Sequence, residues 1–339
     1  MKKILYVYKW ATMGGVERVL INRALAFKKF NIPVKQDVFF YHDSGGKEML
    51  RASIVDYGIQ KYLNIIDFIN NDEYDYIHSI DTPEIFNEPV DLEKLIFECH
   101  TSYKENRGYL KSLPEKLKGL VVPSETFKKE IYDEIPSFIK KKTYVISNCL
   151  PNAREAISQR QVLNKIPVTY IGRTDSLKNV EEIIMIFKEL LEKLGDKFIL
   201  FIAGPIMKEV DLFDIVKKNN LENRFIYLPS ISFEKMEELL NFIRCNNGIV
   251  VSASKGESFG LSIAEAINAN IPVVATMVHA HLVNSNDKFL YKQGNITEAI
   301  NKITNIYYDR NSTEQKLPTF KRNFNEDRFI EDWNKIYYK

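Results

Sequence analysis

The chain has 339 residues, of which 45% are hydrophobic and 27% charged, and its formal net charge is +2. This length and composition predict a globular protein of two domains with about 150 residues each, and the balanced charge excludes a strongly basic nucleic-acid-binding protein. The three cysteines are scattered without metal-ligand spacing, which favours a reducing, cytoplasmic compartment, and no apolar run is long enough to span a membrane.

The first elements predict a strand, a glycine turn and a helix. Ile4–Tyr8 is an apolar run of strand length, and Val16–Lys29 carries apolar residues at helical spacing. Between them, Gly14 and Gly15 would let the backbone approach a ligand closely, because glycine has no side chain. The turn lacks the G-x-G-x-x-G fingerprint of dinucleotide-binding proteins, which disfavours an NAD-dependent dehydrogenase.

Further apolar runs predict the remaining strands of the first half. A parallel sheet places its functional residues at the carboxyl ends of the strands. His100 ends one of these runs, where a neutral imidazole could donate a hydrogen bond to a ligand; a histidine bonded to the backbone is the alternative. His78 lies inside a run, which favours a structural role. The runs are Val34–Tyr41, Tyr74–Ile80, Leu95–His100, Gly119–Pro123 and Thr143–Asn148.

Residues 103–118 and 126–142 interleave lysine and arginine with aromatic residues and leucine. Such a pattern favours contact with an anionic membrane surface or with a lipid phosphate. Acidic residues dilute the positive charge in both segments. A solvated helix face is therefore the alternative interpretation.

The second half begins with a predicted linker, residues 151–166, which has little apolar pattern. The strand Val168–Gly172 follows, and Arg173 and Lys178 then precede the helical run Val180–Leu194. Two cations at a strand-to-helix turn can clamp a diphosphate, because arginine grips two oxygens and lysine neutralises a third. A chance pair of surface cations is the alternative.

One later segment predicts a strand, a polar turn, a helix and a second strand. Its apolar runs are Ile249–Ala253 and Ile271–Ala275. Glu257 lies in the turn, and Glu265 lies about two turns into the helix. The amides around Phe259–Leu261 lie between these carboxylates and could hold an anion, so the segment suits a ligand with both hydroxyls and phosphates. A core segment with a solvated loop is the alternative.

This segment resembles the E-x7-E signature of retaining glycosyltransferases of family 4, which are group 1 glycosyl transferases of the GT-B type. Gly14–Glu17 is similar to the family's G-G-x-E turn, and Arg173 with Lys178 is similar to its G-R-x-x-x-x-K motif. The chain has Val278–His281 where the family usually has a glycine pair, which indicates a different sugar or a changed loop. The residues that carry the signature are Ser254, Glu257, Phe259, Gly260, Leu261, Glu265, Ala266 and Pro272–Thr276.

The resemblance implies an α/β protein of the GT-B type, with two Rossmann-like, doubly wound domains that face a central cleft. Residues 1–150 would form the acceptor-binding domain and residues 167–321 the nucleotide-sugar-binding domain, with the linker between them. The apolar stripe within residues 322–339 resembles the C-terminal helix that packs back on the first domain in such proteins.

The family also implies roles for the residues that match its motifs. Arg173 and Lys178 would hold the donor diphosphate, Glu257 the sugar hydroxyls and Glu265 the ribose, with His100 at the reaction centre. Because the two cations stabilise the departing nucleotide, we expect neither a metal ion nor another cofactor. The remaining donor-binding candidates are Gly14, Gly15, Gly204, Ser258, Phe259, Gly260 and Leu261.

The implied activity is that of a retaining, hexosyltransferase-type enzyme. It would move a sugar from a UDP- or GDP-sugar to a cell-surface glycan, a lipid-linked acceptor or teichoic acid. We expect a cytoplasmic protein without a nucleic-acid partner and leave open a peripheral contact with the inner face of the membrane. Another GT-B activity, such as a phosphorylase or a nucleotide-sugar epimerase, and a catalytically silent GT-B subunit that supports a partner glycosyltransferase are the alternatives.

Overall fold

The chain divides into two compact units. The first unit consists of Met1–Pro151 and Phe324–Lys339, and the second consists of Asn152–Asn323. Most of the linker that we predicted at residues 151–166 lies outside the described residues. The residues that the computed structural model describes are 1–70, 73–151, 163–229 and 231–337.

The first unit is built on a parallel sheet. Its strands are β1 Lys2–Ala11, β2 Val34–Asp43, β3 Leu63–Ile66, β4 Tyr76–Ile80, β5 Leu95–Glu98, β6 Gly119–Val122 and β7 Thr143–Val145. Within the described residues these seven strands pair in the order β3-β2-β1-β4-β5-β6-β7. Residues 4–7 of β1 are fully buried. A strand buried on both faces is a continuous apolar run, and this explains the pattern of β1.

Short and long helices connect the strands of the first unit. The α-helices are α1 Gly15–Lys29, α2 Gly46–Asp56, α3 Glu125–Glu130 and α4 Ser137–Lys140. The 3-10 helices are Pro83–Asn87, Lys104–Asn106, Gly108–Ser112 and Tyr132–Glu134.

The second unit has a smaller parallel sheet. Its strands are β8 Ile166–Ile171, β9 Phe198–Ala203, β10 Phe225–Leu228, β11 Ile249–Ser252, β12 Val273–Thr276 and β13 Leu290–Tyr291. In the part of this unit that the structure describes, the six strands pair in the order β10-β9-β8-β11-β12-β13. Both sheets therefore have the α/β, doubly wound architecture that the sequence predicts.

Helices of the second unit follow its strands. The α-helices are α5 Val180–Leu194, α6 Leu212–Lys218, α7 Phe233–Cys245, α8 Leu261–Asn268, α9 His279–Asn284, α10 Ile296–Tyr308, α11 Arg310–Glu314 and α12 Pro318–Lys321, and Glu222–Arg224 is a 3-10 helix. Ile183, Phe187 and Leu190 lie on one face of α5 and are buried in the core with strand residues. Gly195 ends α5 with a φ of 75°, a conformation that glycine adopts easily.

The last helix, α13 Glu326–Tyr337, belongs to the first unit. Its Trp333 is fully buried, and the Trp333 ring centroid lies 4.8 Å from that of Phe27 in α1. Asp332 accepts hydrogen bonds from the backbone amide and the hydroxyl of Ser147 at 3.1 and 2.8 Å. These contacts make α13 part of the core of the first unit.

The predicted strands differ from the observed ones by one to three residues at one or both ends, and two of these differences have a cause in the local hydrogen bonds and backbone. Leu95–His100 ends early, because the backbone amide of His100 donates to the side chain of Asp81 at 3.0 Å instead of continuing the strand ladder. Ile271–Ala275 is shifted to β12, because Asn270 is in the left-handed region with a φ of 58° and Pro272 has no amide proton to donate. His100 therefore lies in the loop after β5.

Candidate active site

Each sheet has a point where its strand order reverses, and doubly wound sheets bind ligands at this point, beside the carboxyl ends of the strands. In the second unit the reversal lies between β8 and β11. The loop after β8 carries Arg173 and Lys178, and the loop after β11 carries Glu257. In the first unit the reversal lies between β1 and β4, and Gly14 and Gly15 follow β1. The predicted motifs thus lie at the reversal points of their own units.

Asp175 organises the loop after β8. Its carboxylate accepts a hydrogen bond from the backbone amide of Lys178 at 2.9 Å and lies 3.4 Å from Nε of Arg173. The Asp175 side chain is nearly buried, whereas 47% of the Arg173 side chain is exposed. Asp175 therefore holds the backbone between the two predicted cations, a role that we did not predict from the sequence.

Lys178 and Glu257 form an ion pair that links the loop after β8 with the loop after β11. Nζ of Lys178 lies 2.5 Å from Oε1 of Glu257, and the two side chains are 18% and 13% exposed. Burial opposes the ionisation of Glu257. The positive charge of Lys178 and the electrostatic interaction with His281 outweigh this effect, so the pKa of Glu257 is lowered. Glu257 is therefore a carboxylate at neutral pH, and one of the three N–H donors of Lys178 is directed at it.

The turn between β11 and α8 is held by hydroxyl groups and a glycine. The Thr276 hydroxyl donates to the carbonyl of Ser254 at 2.5 Å, and the Ser254 hydroxyl donates to the carbonyl of Gly256 at 2.9 Å. Gly260 precedes α8 with a φ of 76°, where a side chain would be strained. Ser254 and Gly260 therefore have structural roles in this turn that do not depend on a ligand.

His281 and Asn284 of α9 pack against this turn, and we did not predict either contact. Nδ1 of His281 lies 2.9 Å from the carbonyl of Thr276. Because a carbonyl only accepts, Nδ1 carries the proton; among the described residues, the buried Nε2 has no hydrogen-bond partner. Asn284 donates to the carbonyl of Phe259 at 2.5 Å. The segment that departs from the family pattern therefore supports the turn directly.

Close packing against Gly172 also explains why glycine is needed at position 204. It has a φ of 134°, and a Cβ atom there would lie 2.2 Å from the carbonyl oxygen of Gly172. The two loops can approach so closely only with glycine at this position. The donor-binding role of Gly204 stays a prediction, as do the roles of Ser258 and Glu265, whose side chains are half-buried in the turn and in α8.

In the first unit, Glu17 organises the glycine loop after β1. Its carboxylate accepts hydrogen bonds from the amides of Thr12 and Met13 at 2.6 and 3.0 Å, and from the amide of Gly14 at 2.9 Å. Glu17 is fully buried, and this burial raises its pKa. These three amides are directed at Glu17. A Cβ atom at Gly15 would meet nothing within 4 Å. Gly15 is therefore the residue of this loop at which the predicted close approach of a ligand stays a prediction.

His100 lies against a buried carboxylate, Glu98. Its Nε2 is 2.7 Å from Oε2 of Glu98, and its side chain is 9% exposed. Arg23 reaches both oxygens of the same carboxylate at 2.9 Å. Burial opposes the ionisation of Glu98, but Arg23, His100 and His78 hold its pKa well below the usual range. The imidazole of His100 is thus bonded to a carboxylate, whereas the alternative from the sequence was a bond to the backbone.

His78 has the structural role that we predicted. Its Nδ1 lies 2.5 Å from Oε1 of Glu98, and its Nε2 contacts the hydroxyl of Tyr337 in α13. Full burial lowers the pKa of His78. We did not predict Glu98 as the centre of these contacts; its signal in the sequence is an acidic residue between Phe97 and Cys99 in an apolar strand.

The basic segment at residues 103–118 presents less positive charge than its sequence indicates. Arg107 is 1% exposed and bonds to Glu134 at 2.7 Å and to Glu130 at 3.0 Å. The segment forms two 3-10 helices, and its lysines are exposed, which agrees with the alternative of a solvated face. Over the described ranges, no helix is long and apolar enough to cross a membrane.

Solved structures share the fold over the whole chain. The structure of Anabaena Alr3699/HepE in complex with UDP-glucose has a TM-score of 0.79 and 17% sequence identity, and it covers 100% of both chains. A mutant of S. aureus TarM in complex with Fondaparinux, alpha-GlcNAc-glycerol and UDP has a TM-score of 0.78 and 14% identity, again over 100% of both chains. At these identities the likeness shows the fold alone, which is GT-B.

Sequence relatives match a shorter part of the chain. The phosphatidylinositol N-acetylglucosaminyltransferase GPI3 subunit of Saccharomyces cerevisiae (strain YJM789) is 27% identical over 158 residues, which is 45% of this chain and 34% of the relative. The N-acetyl-alpha-D-glucosaminyl L-malate synthase of Bacillus anthracis is 23% identical over 176 residues, which is 50% of this chain and 44% of the relative. The match thus spans less than half the length of either relative.

The profile of the family described as glycosyl transferases group 1 matches residues 153–322, which is half of the chain. The matched part contains the pair of cations after β8 and the two glutamates at and after the turn that follows β11. The chain therefore belongs to the glycosyl transferases group 1 family, as its motifs predicted.

Proposed function

We propose that the chain is a retaining glycosyltransferase that moves a sugar from a nucleotide diphosphate sugar to a glycan, lipid-linked or teichoic acid acceptor. The observation that carries the proposal is the contact between Lys178 and Glu257 at the reversal point of the second sheet, within the part that matches the family. This contact places a cation suited to phosphate beside a carboxylate suited to sugar hydroxyls.

The cations would stabilise the leaving group. The bond between the sugar and the diphosphate breaks with a gain of negative charge on the phosphate oxygens, and positive groups that are already in place stabilise this charge. Lys178 has three N–H donors, of which one meets Glu257, and Arg173 adds a planar guanidinium that can bind two oxygens. We therefore propose that the reaction needs no metal ion.

Glu257 would bind the sugar. Its lowered pKa keeps it ionised at neutral pH, so it accepts hydrogen bonds from sugar hydroxyls and favours positive charge that develops on the sugar. In the proposed reaction the acceptor oxygen bonds to the anomeric carbon on the face from which the diphosphate leaves, and the leaving phosphate takes the acceptor proton. Glu265 would hold the ribose, and His100 in the first unit would contact the reaction centre, as the family resemblance implies.

UDP is the nucleotide that we test first. The HepE and TarM structures are complexes with UDP-glucose and with UDP, and the TarM complex also contains alpha-GlcNAc-glycerol. Those ligands belong to those proteins. They support a uridine diphosphate donor here and a glycan or polyol acceptor, with GDP as the second nucleotide to compare.

The first experiment is a thermal-shift measurement with UDP, GDP, ADP and CMP, each in EDTA and in Mg²⁺. A ligand that binds only the folded state stabilises it by about 2.7 kcal/mol at 100 times its Kd. For a unit of this size, with about 2–4 °C per kcal/mol, we expect a shift of about 5–10 °C with one nucleotide. The shift should be equal in EDTA and in Mg²⁺, and a shift that requires Mg²⁺ would contradict the metal-independent proposal.

Matched variants locate the binding site. Arg173→Ala and Glu265→Ala should each reduce the shift. Arg224→Ala is the control. Arg224 pairs with Asp196 at 2.8 Å and lies at the amino end of β10, whereas the proposed site lies beside the carboxyl ends of the strands in the same sheet. If Arg224→Ala reduces the shift as strongly as Arg173→Ala, the site is elsewhere. Once a donor is found, the anomeric configuration of the product, read by NMR, decides whether the reaction retains it.

A catalytically silent subunit is the second candidate. The GPI3 relative is named as a subunit, and the altered segment of α9 fills space beside the turn with the buried ring of His281. This candidate predicts that the purified chain gives no product with any donor and that a partner glycosyltransferase gains activity when the chain is added. Turnover by the purified chain alone would exclude it.

A further inference from the structure

The first unit contains a buried polar cluster that ends at His100. We propose that Glu98 is a positioning residue, which holds the imidazole of His100 as the Nε2–H tautomer so that Nδ1 accepts a hydrogen bond from a ligand hydroxyl. The role of that hydroxyl in sugar transfer rests on the proposed function. The tautomer itself follows from the contacts of Glu98.

Glu98 is ionised. Its side chain is 0% exposed, and the guanidinium of Arg23, also 0% exposed, reaches both carboxylate oxygens at 2.9 Å. A bidentate pair with arginine favours the ionised carboxylate. An ionised carboxylate only accepts hydrogen bonds, so Nε2 of His100, at 2.7 Å, must be the donor.

The carboxylate of Glu98 is held in place by donors on both of its oxygens. Oε1 accepts from Arg23 and from Nδ1 of His78, while Oε2 accepts from Arg23 and from His100. His78 in turn contacts the hydroxyl of Tyr337, and Arg23 donates to the hydroxyl of Tyr6 at 3.2 Å. Arg23 of α1 and His78 of β4 thus hold the Glu98 carboxylate directly, and Tyr6 of β1 and Tyr337 of α13 hold these two side chains in turn. The carboxylate plane is therefore fixed, and it directs the ring of His100.

His100 has a second ring nitrogen, Nδ1, in addition to the Nε2 that meets Glu98. A neutral imidazole has one N–H and one lone pair, and the N–H is directed at Glu98. The lone pair is therefore on Nδ1, which accepts a hydrogen bond from an O–H group. This reverses the expectation from the sequence that a neutral His100 donates to the ligand, and it assigns a hydroxyl group of the donor sugar or of the acceptor as its partner.

Nitrogen NMR of the protein labelled with ¹⁵N-histidine tests the tautomer without any substrate. The chain has five histidines, and the peaks of His100 are identified by their loss in His100→Gln. We expect Nε2–H for His100 but Nδ1–H for His281, which donates to the carbonyl of Thr276, so one spectrum contains opposite outcomes. An Nδ1–H tautomer at His100, or a mixture of the two tautomers, would overturn the proposal.

Kinetics test the consequence for transfer, with a donor sugar that carries the nucleotide identified in the thermal-shift experiment. Glu98→Gln and His100→Gln should each lower kcat by about tenfold, the value of one hydrogen bond, and leave KM for the donor unchanged. The double variant should be no slower than His100→Gln, because Glu98 acts through His100. Additive losses would mean that Glu98 has only a structural role.

The two proposals can fail separately. If no nucleotide binds, the proposed function fails, and the spectrum of the wild-type protein still decides the tautomer. If Glu98→Gln does not fold, because buried Arg23 loses its counter-charge, the same wild-type spectrum decides. A fixed Nε2–H tautomer supports the role of Glu98, and any other result refutes it.

Discussion

Replacing Arg23 with methionine tests the buried charge pair of the first unit. The guanidinium and the carboxylate of Glu98 are both 0% exposed and meet in two contacts of 2.9 Å. The variant leaves Glu98 buried without a counter-charge, and removing one partner of a buried pair costs about 3–5 kcal/mol. At about 2–4 °C per kcal/mol, we expect the unfolding temperature of the first unit to fall by about 6–20 °C.

The pH dependence separates a lost charge pair from lost packing. The pKa of Glu98 in the folded protein lies well below the usual value of 4.5. Its ionised form therefore stabilises the fold fully above that value, and the stabilisation is lost as the pH falls through the folded pKa. We expect the difference in unfolding temperature between the wild type and Arg23→Met, measured by calorimetry, to be large at pH 7 and to shrink in acid.

Arg51→Met is the matched control in the same unit. Arg51 and Glu48 form an exposed pair at 3.9 Å, with side chains that are 47% and 88% exposed. Such pairs contribute about 0.5 kcal/mol or less. If Arg23→Met costs no more than Arg51→Met, or if its cost does not shrink as the pH is lowered progressively below 4.5, the reasoning about the buried pair is wrong.

Three further substitutions test the second unit and the last helix. Lys178→Met should weaken binding of the active nucleotide by about 10–100-fold in a titration, since a hydrogen bond to a charged group contributes about 1.5–3 kcal/mol; an unchanged Kd would remove Lys178 from the donor site. Gly260→Ala should destabilise the second unit by about 1–3 kcal/mol in urea, because φ is 76° and the new Cβ would lie 2.8 Å from the ring of His281; full stability would contradict that strain. Trp333→Ala should cost about 3–5 kcal/mol in urea unfolding of the first unit, because the side chain is fully buried; a loss below about 1 kcal/mol would show that α13 contributes little.

Local patterns predicted much of the fold. Helix α5 has the predicted bounds, and each predicted strand run overlaps an observed strand, because these segments are periodic or continuous apolar runs with polar residues near their ends. The positions of Arg173, Lys178 and Glu257 in the loops after β8 and β11 were also predicted, because each loop directly follows an apolar run. Arg173 and Lys178 belong to one turn, so their spacing along the chain already indicates their proximity.

Contacts between distant parts of the chain could not be predicted in this way. His78 and Tyr337 are in contact although 259 positions separate them. Glu98 contacts both His78 and Arg23, and these contacts form only when α1, β5 and α13 are packed together. Sequence periodicity reports which face of an element is buried and carries no information on which polar group it meets there. For this reason the sequence could indicate His100 as a candidate but not Glu98, the buried carboxylate that it contacts.

The departure from the family pattern at Val278–His281 shows how the same limit affects the reading of the proposed donor site. In the sequence, the absent glycine pair indicates a changed loop. In the structure, the segment leads into α9, and His281 and Asn284 of this helix lie against the turn before α8. Buried carbonyl groups need hydrogen-bond partners, and Asn284 supplies one to Phe259. The altered segment therefore brings its own contacts to the turn, and the ion pair between Lys178 and Glu257 is formed beside it. A departure from the motif at this position is thus compatible with an ordered turn at the proposed donor site.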